Sequence, residues 1–341
     1  MAIILSIDAM GGDNGISATI PATLRFLKET PGVKVILVGN KPIIMARYER
    51  ELVAFSDRIE IEHTSEIVAM DALPQIAMRI RNSSMRVAIN LVKEKRADAI
   101  ISAGNTGALM AISRYVLHMI DAIDRPAIAK IMPAIPGNVC VLDLGASIDA
   151  SSSNLFQFAI MGSVIMKSVT GKDHPSIGLL NIGSEEVKGR DVIKDAANIL
   201  KNSNLNFYGN VEGNDINKGT VDVVVCDGFT GNVSLKTIEG VANLISTFLK
   251  EEFTKSTFAK IIAILAYPVL KRLKQRLDPR KYNGAILIGL NAVVIKSHGG
   301  ADEIAFYYAL CQAYREARSD IITMLKKSIS ENISSNQQGC V

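Results

Sequence analysis

Cysteine is scarce in this chain. Its four residues, Cys140, Cys226, Cys311 and Cys340, are far apart and form no C-x-x-C pair. That spacing argues against both a zinc knuckle and a disulfide framework, and it fits a reducing cytosol. The dinucleotide fingerprint G-x-G-x-x-G is missing, as is the P-loop G-x-x-x-x-G-K-[ST], so neither kind of nucleotide site has its usual support. Long apolar runs are missing too. The opening "MAIILSIDAMGGD" has no basic leader and its apolar stretch stops at Asp8, which suits a first strand rather than a signal sequence or a membrane span. There is no Pro/Ser-rich spacer, and the polar end "SISENISSNQQGCV" is expected to fray, leaving a flexible tail over 330–341. Cys340 is next to last, so it makes no prenylation box.

What is present is a folding composition, 48% hydrophobic and 21% charged. Strand-like and helix-like stretches alternate: "IILSID", a helix over 16–29, "VKVILVG", a helix over 42–55, "RIEIEH", a helix over 85–95, then "DAIIS". After Pro126 come "VCVLDLG", a helix over 154–169, "SIGLLNIG", a helix over 192–201, "NFYGNV" and "VDVVVCD". Such alternation predicts an α/β fold, three αβα layers around a largely parallel sheet. No linker interrupts it, so one domain is expected over 1–341.

The formal net charge is +4, yet residues 255–281 hold eight Lys or Arg against Asp278 alone. Positive charge therefore belongs to one segment, "KSTFAKIIAILAYPVLKRLKQRLDPRK", in an otherwise slightly acidic chain. Ile262, Leu265, Val269, Leu273 and Leu277 recur there at helical spacing. Pro268 is expected to bend or divide this helix. The segment reads as a helical protrusion over 241–284 that lies on an anionic membrane, docks an acidic protein or packs against a dimer partner. Its candidate contact residues are Ile262, Leu265, Val269, Lys271, Arg272, Lys274 and Arg276. No nucleic-acid partner is expected.

Ligands of open α/β sheets bind beyond the carboxyl ends of strands. Five such ends carry small, hydrogen-bonding residues. They are Asp8 to Asp13 with Gly11 and Gly12, Ser102 to Gly107 with Gly104, Asn105 and Thr106, Asp143 with Gly145, Asn181 with Gly183, and Asp227 to Asn232 with Gly228, Phe229, Thr230 and Gly231. Gly lets backbone amides converge, and a following helix adds free N–H groups and a positive dipole end, so these turns suit an anion and predict a shared floor. Gly also serves tight turns for structural reasons alone. Asp8, Asp13, Asp143, Asp149 and Asp227 are candidate ligands or bases, with loop-holding as the bland reading for at least half of them. Lys188 and Lys236 are the candidate counter-charges, each with a solvated lysine as its alternative. His298, before Gly299 and Gly300, is a donor, an acid/base or a structural cap. Cys226 continues a buried strand with no His nearby in sequence, so it and Ser102 are set aside as nucleophiles.

The motifs "SIDAMGGD", "NSSM", "RADAIISAGNTGALM", "DRPA", "DLGASIDA", "QFAIMGS", "GLLNIGSEEVKG", "NFYGNVEG", "VDVVVCDGFTGNVSLKTIEG" and "VIKSHGGAD", in this order, resemble the bacterial phosphate acyltransferases of phospholipid synthesis (PlsX) from end to end. The resemblance implies a fold like that of the phosphate acetyltransferases and the isocitrate and isopropylmalate dehydrogenases. It also implies a reaction: acyl-[acyl carrier protein] plus orthophosphate gives acyl phosphate plus free carrier protein. Family members are peripheral membrane homodimers, so a cytoplasmic protein on the inner face of the cell membrane is expected, feeding a glycerol-3-phosphate acyltransferase. The chain departs from the family at "MRIRNSSM", where Ile80 interrupts a basic run that keeps Arg79 and Arg81, and "AMDALPQIA" lacks some acidic residues often found there. Phosphate is the nucleophile in this chemistry, so no triad, redox cofactor or metal is expected. The expected catalytic set is Lys188, Asn232, Lys236 and His298. Residues 105–107 and 228–232 are expected to cradle phosphate, Lys188 or Lys236 to balance its charge, and His298 or a loop amide to polarise the thioester carbonyl.

Overall fold

A computed structural model describes residues 2–338. Its strands are β1 (Ile4–Asp8), β2 (Lys34–Gly39), β3 (Ile59–His63), β4 (Ala99–Ser102), β5 (Ala127–Ala134), β6 (Gly137–Leu142), β7 (Ile177–Leu180), β8 (Phe207–Val211), β9 (Val223–Val225), β10 (Ala285–Ile288) and β11 (Val293–Lys296). They form one sheet in the order β3-β2-β1-β4-β11-β10-β5-β6-β9-β7-β8. Seven of its pairings are parallel, and the three antiparallel ones, β11 with β10, β10 with β5 and β5 with β6, lie at its centre. Strands β6, β7, β8 and β9 consequently run opposite to β1, β2, β3, β4 and β11. The expected single row of carboxyl ends is thus two groups.

Both faces of the sheet are buried, as parallel sheets require. On β9, Val223 and Val225 enter one apolar core while Val224 enters the other, and on β4 Ile101 and Ile100 divide in the same way. Helices α1 (Ile16–Glu29), α6 (Ser152–Thr170), α7 (Asp191–Lys201), α11 (Glu303–Arg318) and α12 (Ile321–Gln338) cover the first face. The second face is covered by α4 (Ser84–Lys93), α5 (Thr106–Leu117), α8 (Gly213–Lys218) and the first turns of α9 (Gly228–Thr254). Two more helices, α2 (Lys41–Val53) and the short α3 (Pro74–Ala77), flank the first half, and α10 (Thr257–Leu277) follows α9. Expected helix bounds hold to within about two residues. Strands β5 and β10 go unread in the sequence, since Lys130 and Pro133 mask the one and β10 is only four residues long.

Beyond its first turns α9 leaves the body, and nearly all of 240–273 is solvent-exposed. Pro268 does not divide α10, which runs unbroken from Thr257 to Leu277. A Pro inside a helix forfeits one backbone bond, and this exposed helix absorbs it. The break comes earlier, between α9 and α10, where the chain bends by 120°. The side chains of Lys274 and Leu277 lie outside the described part, as does Cys340. Among the described residues no single helix is long and apolar enough to cross a membrane; α9 and α10 reach that length only as a bent pair.

Candidate active site

One wall of the site is built where β1, β4 and β11 end. Asp8 is 1% exposed, and its Oδ2 accepts from Ser102 Oγ at 2.6 Å while its Oδ1 has no partner. Burial pushes its carboxyl up despite the Ser102 bond. Ser102 Oγ accepts in turn from the Gly104 amide at 3.0 Å. A Cβ on Gly11 would lie 2.5 Å from Asp8 Oδ2 and 2.9 Å from Gly104 N, so glycine here is a packing requirement. The turn after β1 is knitted to the turn after β11: Asp13 N donates to Gly299 O at 2.9 Å, and Asn14 Nδ2 donates to Ala301 O at 3.0 Å.

Asn105 caps α5 by accepting from Ala108 N, and its amide donates to Met70 O at 2.6 Å and Ala72 O at 3.3 Å. Its side chain is spent on structure, fixing the 70–74 segment beside the turn. The amides of Thr106 and Gly107 head α5 without intrahelical acceptors and remain the donors of this turn.

Lys296 ends β11 at 8% exposure, donating to Ala103 O at 3.3 Å and to Ser297 O. Burial lowers its pKa to about 8, against the pull of Asp8 and Asp13. Two residues on, His298 Nδ1 accepts from the Gly300 amide at 3.1 Å, and His298 N donates to Asn283 Oδ1 at 2.9 Å. Burial and the positive charges of Lys236, Lys296 and Lys130 hold the imidazole below its ordinary value, with Glu239 opposing them. A neutral ring that accepts at Nδ1 carries its proton at Nε2. His298 is therefore a donor.

The second wall, where β6 and β9 end, is closed on itself. Asp143 Oδ1 accepts from Ile128 N, Gly145 N and Ala146 N, and Oδ2 from Ser147 N at 2.6 Å. Burial nevertheless pushes its carboxyl up. Asp227 caps α9 through Thr230 N at 2.7 Å and pairs with Arg190. Gly228 N donates to Ser147 O and Gly231 N to Asp227 O, so the helix amides expected to face an anion are largely used. Phe229 is 64% exposed. Asp149 is exposed, and its carbonyl accepts from Arg125.

After β7, Asn181 Oδ1 accepts from Ile182 N and its amide donates to Lys188 O. Gly183 lies under the Lys188 chain. Lys188 is exposed and pairs with Glu185 at 2.8 Å, which holds its ammonium above its ordinary value. Cys226 is buried with its thiol donating to Leu142 O at 3.2 Å, and burial pushes it well up, as expected for an inert thiol.

Helix α9 joins the walls. Asn232 stands over Gly145, where an added Cβ would be 3.7 Å from the asparagine Cβ. One turn on, Lys236 pairs with Glu239 at 2.9 Å, and Glu239 also meets Lys130 at 3.7 Å. Burial raises the Glu239 carboxyl, but Lys236 and Lys130 outweigh this and hold it below the usual range. Lys130, Lys296 and Glu239 were missed in the sequence. The signal available was a lysine inside an apolar strand, in "AIAKIMPA" and "VVIKSHGGAD".

The architecture is that of the phosphotransacetylases. A phosphotransacetylase from Streptococcus pyogenes superposes with a TM-score of 0.60 at 16% identity, covering 93% of this chain and 94% of its own. A branched-chain phosphotransacylase from Enterococcus faecalis follows at 0.56 and 12%, covering 92% and 99%. Sequence then fixes the family. The family described as "Fatty acid synthesis protein" matches residues 3–324. A phosphate acyltransferase of Chromobacterium violaceum is 53% identical over 99% of this chain and 98% of its own length, and one of Nitrosococcus oceani is 51% identical over 94% and 95%. The chain belongs to this phosphate acyltransferase family and is an acyltransferase.

Proposed function

We propose that the protein transfers a fatty acyl group from acyl-[acyl carrier protein] to orthophosphate, releasing acyl phosphate and free carrier for phospholipid synthesis. The observation that carries this reading is His298, whose Nδ1 accepts from the Gly300 amide so that Nε2–H is left to donate, with the charges of Lys130, Lys236 and Lys296 acting on its ring. Three cations gather a multiply charged oxyanion, and a neutral N–H beside them is suited to a carbonyl whose oxygen becomes negative. A phosphate oxygen attacks the thioester carbonyl carbon, the C–O bond forms, the C–S bond breaks, and the carrier leaves as thiolate to take up a proton. No oxidation state changes, so the chemistry needs no redox cofactor. Lys236 rather than Lys188 balances the anion, because each is paired with a glutamate but only Lys236 acts on His298.

Phe258, Ile261, Ile264 and Leu265 on α10 are 72%, 53%, 73% and 78% exposed, with Lys271, Arg272 and Arg276 on the same helix. An apolar tip with basic flanks suits an anionic bilayer surface, held peripherally from the cytoplasmic side, and the same helices offer the acyl chain an apolar surface and a dimer partner a contact. Membrane contact would pass acyl phosphate to a glycerol-3-phosphate acyltransferase, and basic residues would steer the acidic carrier.

The test is to incubate the protein with acyl-carrier protein, with and without orthophosphate, and follow free carrier thiol together with hydroxylamine-trappable acyl phosphate. Phosphate-dependent release of both is expected; thiol without acyl phosphate would mean a thioesterase. Replacing Lys271, Arg272, Lys274 and Arg276 by Gln is expected to abolish sedimentation with anionic vesicles, and binding that survived would end the membrane assignment.

A further inference from the structure

We infer that Lys130 is a phosphate ligand and that Glu239 is the counter-ion an incoming phosphate displaces. This rests on the reading of His298 and its lysines as the phosphate site. Lys130 stands in a strand whose neighbours Ala129 and Ile131 are apolar, with its side chain only 18% exposed. A buried ammonium is costly unless its three protons find acceptors, yet the contact to Glu239 is 3.7 Å, longer than a good hydrogen bond. The strand bears this cost beside the helix turn that also carries Lys236. Both ammonium groups act on His298, and one carboxylate, Glu239, serves both. Two lysines sharing one negative charge keep a net positive charge. A phosphate dianion brings two charges and more oxygens than the carboxylate, so exchanging Glu239 for phosphate leaves both lysines better matched. Glu239 is 29% exposed and can turn toward water when displaced.

The alternative is a strap in which Lys130 and Glu239 merely tie β5 to α9. The two differ in what phosphate feels. Initial rates of the full chain are measured against inorganic phosphate at fixed acyl-carrier protein, for the wild type, Lys130→Met, Lys130→Arg and Glu239→Gln, with thermal melts to confirm folding. Lys130→Met is expected to raise KM for phosphate by about tenfold or more, and Lys130→Arg, which keeps the charge, to restore most of it. Glu239→Gln removes the competitor and is expected to lower KM by about threefold. A Lys130→Met enzyme with unchanged KM for phosphate would refute the ligand, whatever its melting temperature. A Glu239→Gln enzyme with KM unchanged or raised would refute displacement. A wild type that makes no acyl phosphate would instead overturn the functional reading beneath both.

Discussion

The turn after β9 and the turn after β4 look alike in sequence: a buried strand, an Asp or Ser, glycines, then a helix. They do opposite things with their polar groups. After β9 the donors are consumed at home, since Asp227 takes Thr230 N and Ser147 O takes Gly228 N, and in the adjoining turn after β6 Asp143 takes four amides. After β4 the first amides of α5 remain open, and at the adjoining end of β1 Asp8 keeps a buried oxygen without a partner. Glycine-rich turns therefore report close backbone approach, and whether an anion fits depends on what else occupies the amides.

The largest contrast is steric. A Cβ on Gly231 would lie 1.9 Å from the Asp143 carbonyl oxygen and 2.9 Å from Cys226 Sγ, with backbone that cannot step aside. On Gly107 the nearest atoms would be Pro74 Cγ at 3.2 Å and Asn105 Oδ1 at 3.4 Å. Gly231→Ala is thus expected to cost about 3 kcal/mol or more, while Gly107→Ala stays near the wild type in urea unfolding and acts instead on phosphate KM. Equal midpoints for the two would erase the distinction between the walls.

Next comes a pair of aspartates. Asp143→Ala strips four amides, two buried and two partly buried, of their acceptor and is expected to lose about 2–4 kcal/mol of stability. Asp8→Ala breaks the side-chain bond to Ser102 and is expected to lose turnover before stability. Denaturation midpoints and kcat on the same preparations decide it.

Much of this was legible in advance. The strands and helices of the first half follow directly from apolar periodicity, because β1, β2 and β4 are buried along nearly their whole length and the long helices carry an apolar stripe. Asp227 as a loop-holding residue and Cys226 as an inert thiol were also within reach, since a cap and a buried strand residue are local matters. The reversal of the sheet was not. It depends on β5 and β10, whose pairing joins residues 127–134 to 285–288 across more than 150 positions of chain. Lys130 and Glu239 were hidden for the same reason: a lysine in a strand and a glutamate on a helix become a cluster only when tertiary structure brings them to His298.

Proton linkage gives a finer test of the open wall. Lys296 titrates at about 8, below its usual value of 10.5, because it is buried. Its charge is present below about pH 8 and is lost as pH rises through that value. If the charge helps hold phosphate, KM for phosphate should rise by about tenfold per unit above pH 8, for one proton bound. Lys296→Arg keeps its charge and should flatten the profile. A wild-type KM that stays level from pH 7 to pH 9.5 would place Lys296 outside the phosphate site.

The smallest expected effect separates two lysines, of which sequence already favours Lys236 because it lies one turn beyond the 227–232 loop. Lys188 and Lys236 are both exposed, each paired with a glutamate three residues away, at 2.8 Å to Glu185 and 2.9 Å to Glu239. Exposed pairs of this kind contribute little by themselves, so their surroundings decide. Lys236 acts on His298 across the bridge that α9 makes, whereas Lys188 acts on Glu185 and Glu212 beside the closed wall. Lys188→Ala is accordingly expected to change kcat/KM by less than about twofold, and Lys236→Ala by about tenfold, mostly through phosphate KM. The reverse ranking would move the anion from the His298 side of α9 to the turn after β7, and with it the wall that does the chemistry.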